Sequence, residues 1–204
     1  MPSVGSELEG EGHGLLRGVR VLGAGVDLEL EALGPAELVV REHALHGLLH
    51  RKLRLVLEHV ADPIGLLKLA IARAWPGGLV CVGVPNDYNG LQEAVRAGGA
   101  APWWLAPPHH LNYFDFDSLS ALLSKLGLEV MESLTSFPME LFLLMGENYV
   151  GNDTLGRSCH ARRKQFDLSL EQAGLGHVRR KLYGALAKAG LGREAIIIAR
   201  KPLS

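Results

Sequence analysis

"LVLEHVADPIGLLK", residues 55–68, decides how this chain is read. An apolar run, Leu55 to Leu57, gives way to the ionisable pair Glu58 and His59. Asp62 and Pro63 then open a segment with helical spacing. A strand passing into a helix often does so through a polar turn, and the pair fits that plain role. In open α/β sheets, however, ligands sit beyond the carboxyl ends of strands, so the same pair can face a binding crevice. Taken alone, these fourteen residues leave both roles open.

The flanking sequence extends the pattern. Asp62 is suited to N-cap a helix whose first position, Pro63, lacks an N–H that would be unsatisfied anyway. Ile64, Leu67, Ile71 and Ala74 recur at helical spacing, and "PGG" (76–78) stops the helix. "LVCVGV" (79–84) reads as a strand buried on both faces. From Asp87 to Asn112 the chain is proline-rich without sustained period, which predicts a long loop of the kind that often carries function. "FDFDSLSALLSKLG" then places Leu119, Leu122, Leu123 and Leu126 on one helical face, with Asp115 or Asp117 at its start and Gly127 at its end. "LEVMESL" (128–134) and "EAIIIARK" (194–201) read as strands. This alternation predicts an α/β layer with a largely parallel sheet.

Two regions interrupt it. Residues 136–193 read as a helical insertion before the last strand, through "MELFLLMGENYVG", "RKQFDLSLEQAG" and "HVRRKLYGALAKAG". In the first 54 residues, "LRGVRVLGAGVDLELEAL" has room for one strand. "REHALHGLLHRKLRL" is leucine-rich and is expected to be a helix running into the 55–60 stretch.

Whole-chain properties narrow the classes. The chain has 204 residues, 48% hydrophobic and 21% charged, and a formal net charge of −1. A core of ordinary size is available, and no global field favours nucleic acid or a membrane surface. Cys81 and Cys159 are the only cysteines, which is no disulfide framework. The start, "MPSVGSELEGEGHG", lacks the basic and apolar regions of a signal peptide, and no apolar run is long enough to span a bilayer. The expectation is a cytoplasmic protein with no nucleic-acid partner and no membrane span.

Four stretches in order resemble the class I S-adenosylmethionine-dependent methyltransferases: "VLEHVADP" (56–63), "WPGGLVCVGVPN" (75–86), "HLNYFDFDSLSALLSKLGLEV" (110–130) and the terminal "EAIIIARKP". They look most like the bacterial branch that includes ubiquinone-pathway and sugar-modifying enzymes. In that family "LEH" follows the fourth strand, "PGG" precedes the fifth, and "HLNYF" opens the helix before the sixth. The tail "FPMELFLLMGENYVGNDTLG" is similar to a C-terminal extension in some members. The resemblance implies a Rossmann-like, mostly parallel sheet with its last strand antiparallel. It also implies S-adenosylmethionine as cofactor, bound at the sheet's carboxyl edge. The sulfonium methyl is already electrophilic, so the protein need mainly position the reactants and, for a hydroxyl acceptor, supply a base.

The N-terminal third departs from the family. The stretch "VLGAGVDLE" offers Gly23 and Gly25 but no third glycine and no acidic residue ahead of them. It reads better as the second strand, with Asp27 or Glu29 holding the ribose hydroxyls. Only 26 residues then precede Asp27, whereas a βαβ unit needs roughly 30 or more. The expected organisation is therefore a divergent or truncated part over 1–54, with the glycine loop missing or degenerate. The C-terminal half of the fold is expected over 55–135 and 194–204, with the helical insertion over 136–193.

Candidate residues follow. The resemblance places Leu57 and Glu58 beside the cofactor, together with Asp27. Glu58 and His59 otherwise pair at the turn. Where ubiquinone-pathway relatives carry a further Glu three residues earlier, this chain has Leu55, so no metal is expected. His110 matches the histidine of "HLNYF" and, with His59, is the candidate for catalysis, since an unshifted imidazole titrates near neutrality; holding its loop is the plain alternative. Asn86, Trp104, Tyr113, Tyr149 and Asn152 are candidates for the acceptor site, against turn, core or capping roles. Trp103 shares that choice. His43, His46 and His50 have helical spacing but no further support as ligands. The basic runs around Arg157–Lys164 and Arg179–Lys181 suit solvated helix faces or a phosphorylated acceptor. The expected activity is methyl transfer to a small-molecule acceptor such as a sugar, nucleotide sugar or quinone-like compound, with O-methylation favoured. The competing class is a catalytically inactive or truncated methyltransferase-like protein with an interaction role. A nicotinamide-dependent oxidoreductase would need G-x-G-x-x-G, which is absent.

Overall fold

The computed structural model describes Val19–Arg20, Glu29–Leu30 and residues 49 to 203. Two short strands, β1 (Val19–Arg20) and β2 (Glu29–Leu30), pair antiparallel as a separate sheet. Both fall within the stretch expected to supply one strand. Asp27 lies outside the described residues.

The main sheet has four strands: β3 (Leu49–Arg54), β4 (Leu79–Pro85), β5 (Glu129–Leu134) and β6 (Glu194–Arg200), in the order β3-β4-β6-β5. β3 and β4 pair parallel, and β6 pairs antiparallel with both β4 and β5. Three strands therefore run one way and only the last is reversed, as the resemblance implied. The register Pro85↔Glu194 and Leu79↔Arg200 puts the start of β6 beside the end of β4. The carboxyl edge of the sheet therefore receives a residue from the beginning of its final strand.

Between these strands lie six helices: α1 (Pro63–Arg73), α2 (Gly90–Ala97), α3 (Phe116–Lys125), α4 (Glu140–Leu144), α5 (Asp153–Gln172) and α6 (Gly176–Lys188). Asp62 caps α1 by accepting from the Gly65 amide at 2.8 Å, with Pro63 in the first turn. Asp115, not Asp117, caps α3, in a reciprocal box with Ser118. Leu119 and Leu123 are fully buried against Val80, Val82 and Ile197, and Leu67 closes the core with them. Helices α4, α5 and α6 occupy the interval between β5 and β6.

Two expectations need correction. The strand before "LEH" ends at Arg54, ahead of the apolar Leu55–Leu57 run, and Leu49–Arg54 is strand rather than helix. Leu55 has φ 53° and cannot continue an extended strand, although its amide still donates to the Gly83 carbonyl at 2.8 Å. Leu57–His59 then form a single 3₁₀ turn. The segment expected to be all loop contains α2. Its start is specified by Asn89, which accepts from the Leu91 and Gln92 amides.

Candidate functional site at the carboxyl edge of the sheet

The "LEH" turn and the "HLNYF" stretch are built against each other. The Leu111 and Asn112 amides donate to the Glu58 carbonyl at 2.7 and 3.2 Å. The Asn112 side chain donates to the carbonyls of Leu57 and Val60 at 2.9 and 2.7 Å. Four hydrogen bonds thus hold a turn that is not part of any ladder. The Leu57 side chain goes into the core and is fully buried.

Glu58 is 1% exposed, so it is no solvated turn residue. Burial, with a further push from Glu194, raises its carboxyl to about 7. Oε1 of Glu58 lies 3.7 Å from Nε2 of His59, and Oε2 has no hydrogen-bond partner among the described residues. Nδ1 of His59 is 2.8 Å from the His109 carbonyl. That nitrogen therefore carries a proton, and Nε2 faces Glu58. The His59 and His110 rings meet edge to face, 4.9 Å between centroids. Ligand atoms of Glu58, His59 and His110 all lie within 4.8 Å of one another, a separation that a divalent ion can bridge.

His110 also lines a cavity of about 330 Å³. Burial first, then the neighbouring His59 and His109, hold its imidazole below the ordinary 6.5, and its Nδ1 is buried without a partner among the described residues. The ring is therefore neutral at neutral pH and able to accept a proton.

The cavity lies where β3 and β4 end and β6 begins. Leu55 and Pro85 contribute from the strand ends, Trp103 and Trp104 from the loop after α2, and Met139 and Tyr149 from the segment beyond β5. Trp104 is 8% exposed, and its indole N–H has no partner among the described residues. Acidic side chains are concentrated here. Asp87, Glu140 and Glu194 all line the cavity. Burial, with Glu58 and Glu140 nearby, pushes Asp87 up to about 7. Burial likewise raises Glu140, against a side-chain bond from Gln92. Glu194 is matched: Arg54 Nε and Nη2 donate to its Oε2 at 3.1 and 2.6 Å, and Ser136 Oγ donates to Oε1 at 3.3 Å.

The expected residues thus separate. His110, Trp104 and Tyr149 line the cavity, and Glu58 and His59 adjoin it through His110. Tyr113 stands behind His110, ring centroids 6.1 Å apart, and its hydroxyl accepts from the Ala106 amide at 3.2 Å. Asn86 donates to the Gly190 and Gly192 carbonyls at 2.9 and 3.0 Å and so ties the end of β4 to the loop before β6. Asn152 is the N-cap of α5, accepting from the Leu155 amide. Neither of these two asparagines lines the cavity. Missed in the sequence were Asp87, Gln92, Glu140, Arg193 and Glu194. The available signal was positional: Asp87 follows a buried strand at its carboxyl end, and Glu140 interrupts an apolar run.

Among known proteins, residues 52–133 match the family model described as a methyltransferase domain. Of solved structures, the crystal structure of the [4+2]-cyclase SpnF is similar at 16% identity with a TM-score of 0.37; the match covers 76% of this chain and 49% of that one. The chain spans about half the length of that protein. No curated protein matches. The matched segment contains the "LEH" turn, β4 and the "HLNYF" stretch that pins the turn. Over residues 52–133 the chain is thus similar to methyltransferase domains.

Proposed function

We propose that this domain methylates a hydroxyl of a small-molecule acceptor, with S-adenosylmethionine as donor and His110 as the base. The observation that carries the reading is His110 itself. Its imidazole is held below the ordinary 6.5, its Nδ1 has no partner among the described residues, and it lines a cavity at the ligand-binding edge of an α/β sheet. When bound, S-adenosylmethionine supplies an electrophilic methyl group. The chain's own residues then bind and orient the acceptor and take its proton. Trp104 and Tyr149 wall the acceptor, and His110 receives the hydroxyl proton as the oxygen attacks. His59, fixed by the His109 carbonyl, holds the His110 ring edge to face. Glu58, its carboxyl raised to about 7 by burial, stands beside both imidazoles. The unpartnered Glu58 Oε2 and His110 Nδ1 fit a bound polar group at this rim. Glu58 and the backbone of Leu57 are the described residues proposed to meet the cofactor. The proposed ribose contact, Asp27, lies outside the described part. A sugar, nucleotide sugar or quinone-like acceptor suits a walled cavity of this size, and a cytoplasmic setting suits the cofactor.

The test is calorimetric titration with S-adenosylmethionine, paired with transfer of a labelled methyl group. His110→Ala should lower turnover by about 100-fold or more, the contribution of a positioned base, while cofactor affinity stays within about twofold. Unchanged turnover removes His110 from this role. A second reading, an inactive methyltransferase-like protein that acts by interaction, is separated from the first by the same titration. A folded protein that gives no heat with S-adenosylmethionine would establish it over the first.

A further inference from the structure

Among the described residues, the charges around the cavity do not balance. Four buried carboxyls gather there: Asp87, Glu140 and Glu194 in the lining and Glu58 behind His110. Two guanidiniums answer them. Arg54 is taken by Glu194, and Arg193, in the lining, acts on Glu140 and Tyr149 from the loop before β6. His160, also in the lining, accepts from Arg163 through Nδ1, which identifies its ring as neutral. The unmatched acceptors are well buried. Asp87 Oδ2, Glu140 Oε2 and the Gln92 amide oxygen have no partner among the described residues, and their side chains belong to residues 3%, 5% and 4% exposed. Three unpaired acceptors around one space, two of them acids, are costly unless a donor-rich group arrives with its own positive charge.

We infer that the acceptor carries a protonated amine, held in this cavity by Asp87, Glu140 and the Gln92 amide oxygen. An ammonium offers three donors to these three acceptors and supplies the missing charge. Trp103, Trp104 and Tyr149 provide aromatic surface, to which a cation is also attracted. A neutral diol would satisfy some of the acceptors but leave the charge unanswered. This inference rests on the proposed methyltransferase function and specifies its acceptor: a hydroxyl to be methylated and an ammonium to be recognised.

The experiment compares tyramine with tyrosol, which differ only in ammonium against hydroxyl on the same phenol. Binding to the full chain is followed by calorimetry and ligand-observed NMR at pH 7.5. Tyramine should bind about tenfold tighter or more, as hydrogen bonds to charged groups require. In the Asp87→Asn, Glu140→Gln double variant the preference should fall to near one, with S-adenosylmethionine affinity unchanged. Glu140→Gln alone, expected to reduce it partially, serves if the double variant fails to fold by circular dichroism; the wild-type ratio needs no variant. Equal affinities in the wild type, no tyramine binding, or a preference that survives the substitutions overturns the inference. So does competition between tyramine and S-adenosylmethionine, which would assign the acids to the sulfonium cofactor. Failure of the wild type to bind S-adenosylmethionine would instead sink the methyltransferase reading, while the tyramine to tyrosol ratio would still decide the ammonium site.

Discussion

Asp87 shows most directly how one side chain couples stability to the site. Its carboxyl is pushed up to about 7 by burial and by the nearby Glu58 and Glu140. The folded state therefore binds its proton more tightly than the unfolded state does. The stability this group contributes is fully present below its ordinary value of 3.8 and is lost as pH rises through about 7. Asp87→Asn, which has nothing to ionise, should be more stable than the wild type at pH 8 by about 1–2 kcal/mol, with the difference gone by pH 4. Urea denaturation at both pH values measures this; a variant less stable at pH 8 would show that the carboxylate has a cationic partner. Asp87 was hidden in the sequence because an Asp after "VPN" reads as a turn. Glu140 was hidden because an acid in a first helical turn needs no further reason. His110, Trp104 and Tyr149 were legible because an aromatic or imidazole in a proline-rich loop or polar tail has few packing roles. Asn86 and Asn152 carried the same polar signal but spend their amides on backbone.

Elements meet the site through two tight junctions. Gly192, in the loop that Asn86 grips, has φ 112°, and a Cβ there would stand 2.0 Å from Thr135 Oγ1. Gly192→Ala should cost about 2–4 kcal/mol, combining strain at a left-handed backbone with overpacking, read as a lowered melting temperature. A loss below half a kcal/mol would mean that the loop shifts freely. The other junction is the Arg54–Glu194 pair, 9% and 4% exposed, which joins the end of β3 to the start of β6. Arg54→Met should destabilise by about 3–5 kcal/mol because it strands a buried charge, and adding Glu194→Leu should recover most of the loss. Denaturant titration of both variants decides it; an additive loss would mean the two side chains act separately. Long periodic helices such as α3 and buried strands such as β4 and β6 were readable from pattern. β3 was not, because "LHRKLR" alternates weakly and the apolar run beside it invited a later strand. α2 escaped because it is only eight residues long, and its start rests on the single cap Asn89.

At the scale of the molecule, β4 and β6 form the centre of the main sheet, and six of the seven residues of β6 are buried. β5, at the edge, leaves Glu129, Met131 and Glu132 exposed. Amide hydrogen exchange should accordingly be slowest in β4 and β6 and markedly faster in β5. Uniform protection across the sheet would contradict this ordering. The topology was legible because four motifs in fixed order constrain it more than any one of them does. The reversal of β6 has a practical side. Arg200 pairs with Leu79, at the rim away from the cavity. A surface tether or fluorescent label attached beyond Arg200 therefore departs on the far side of the sheet. Immobilised that way, the protein presents its open mouth to the bulk liquid, and affinities measured on a sensor chip should agree with those in free solution.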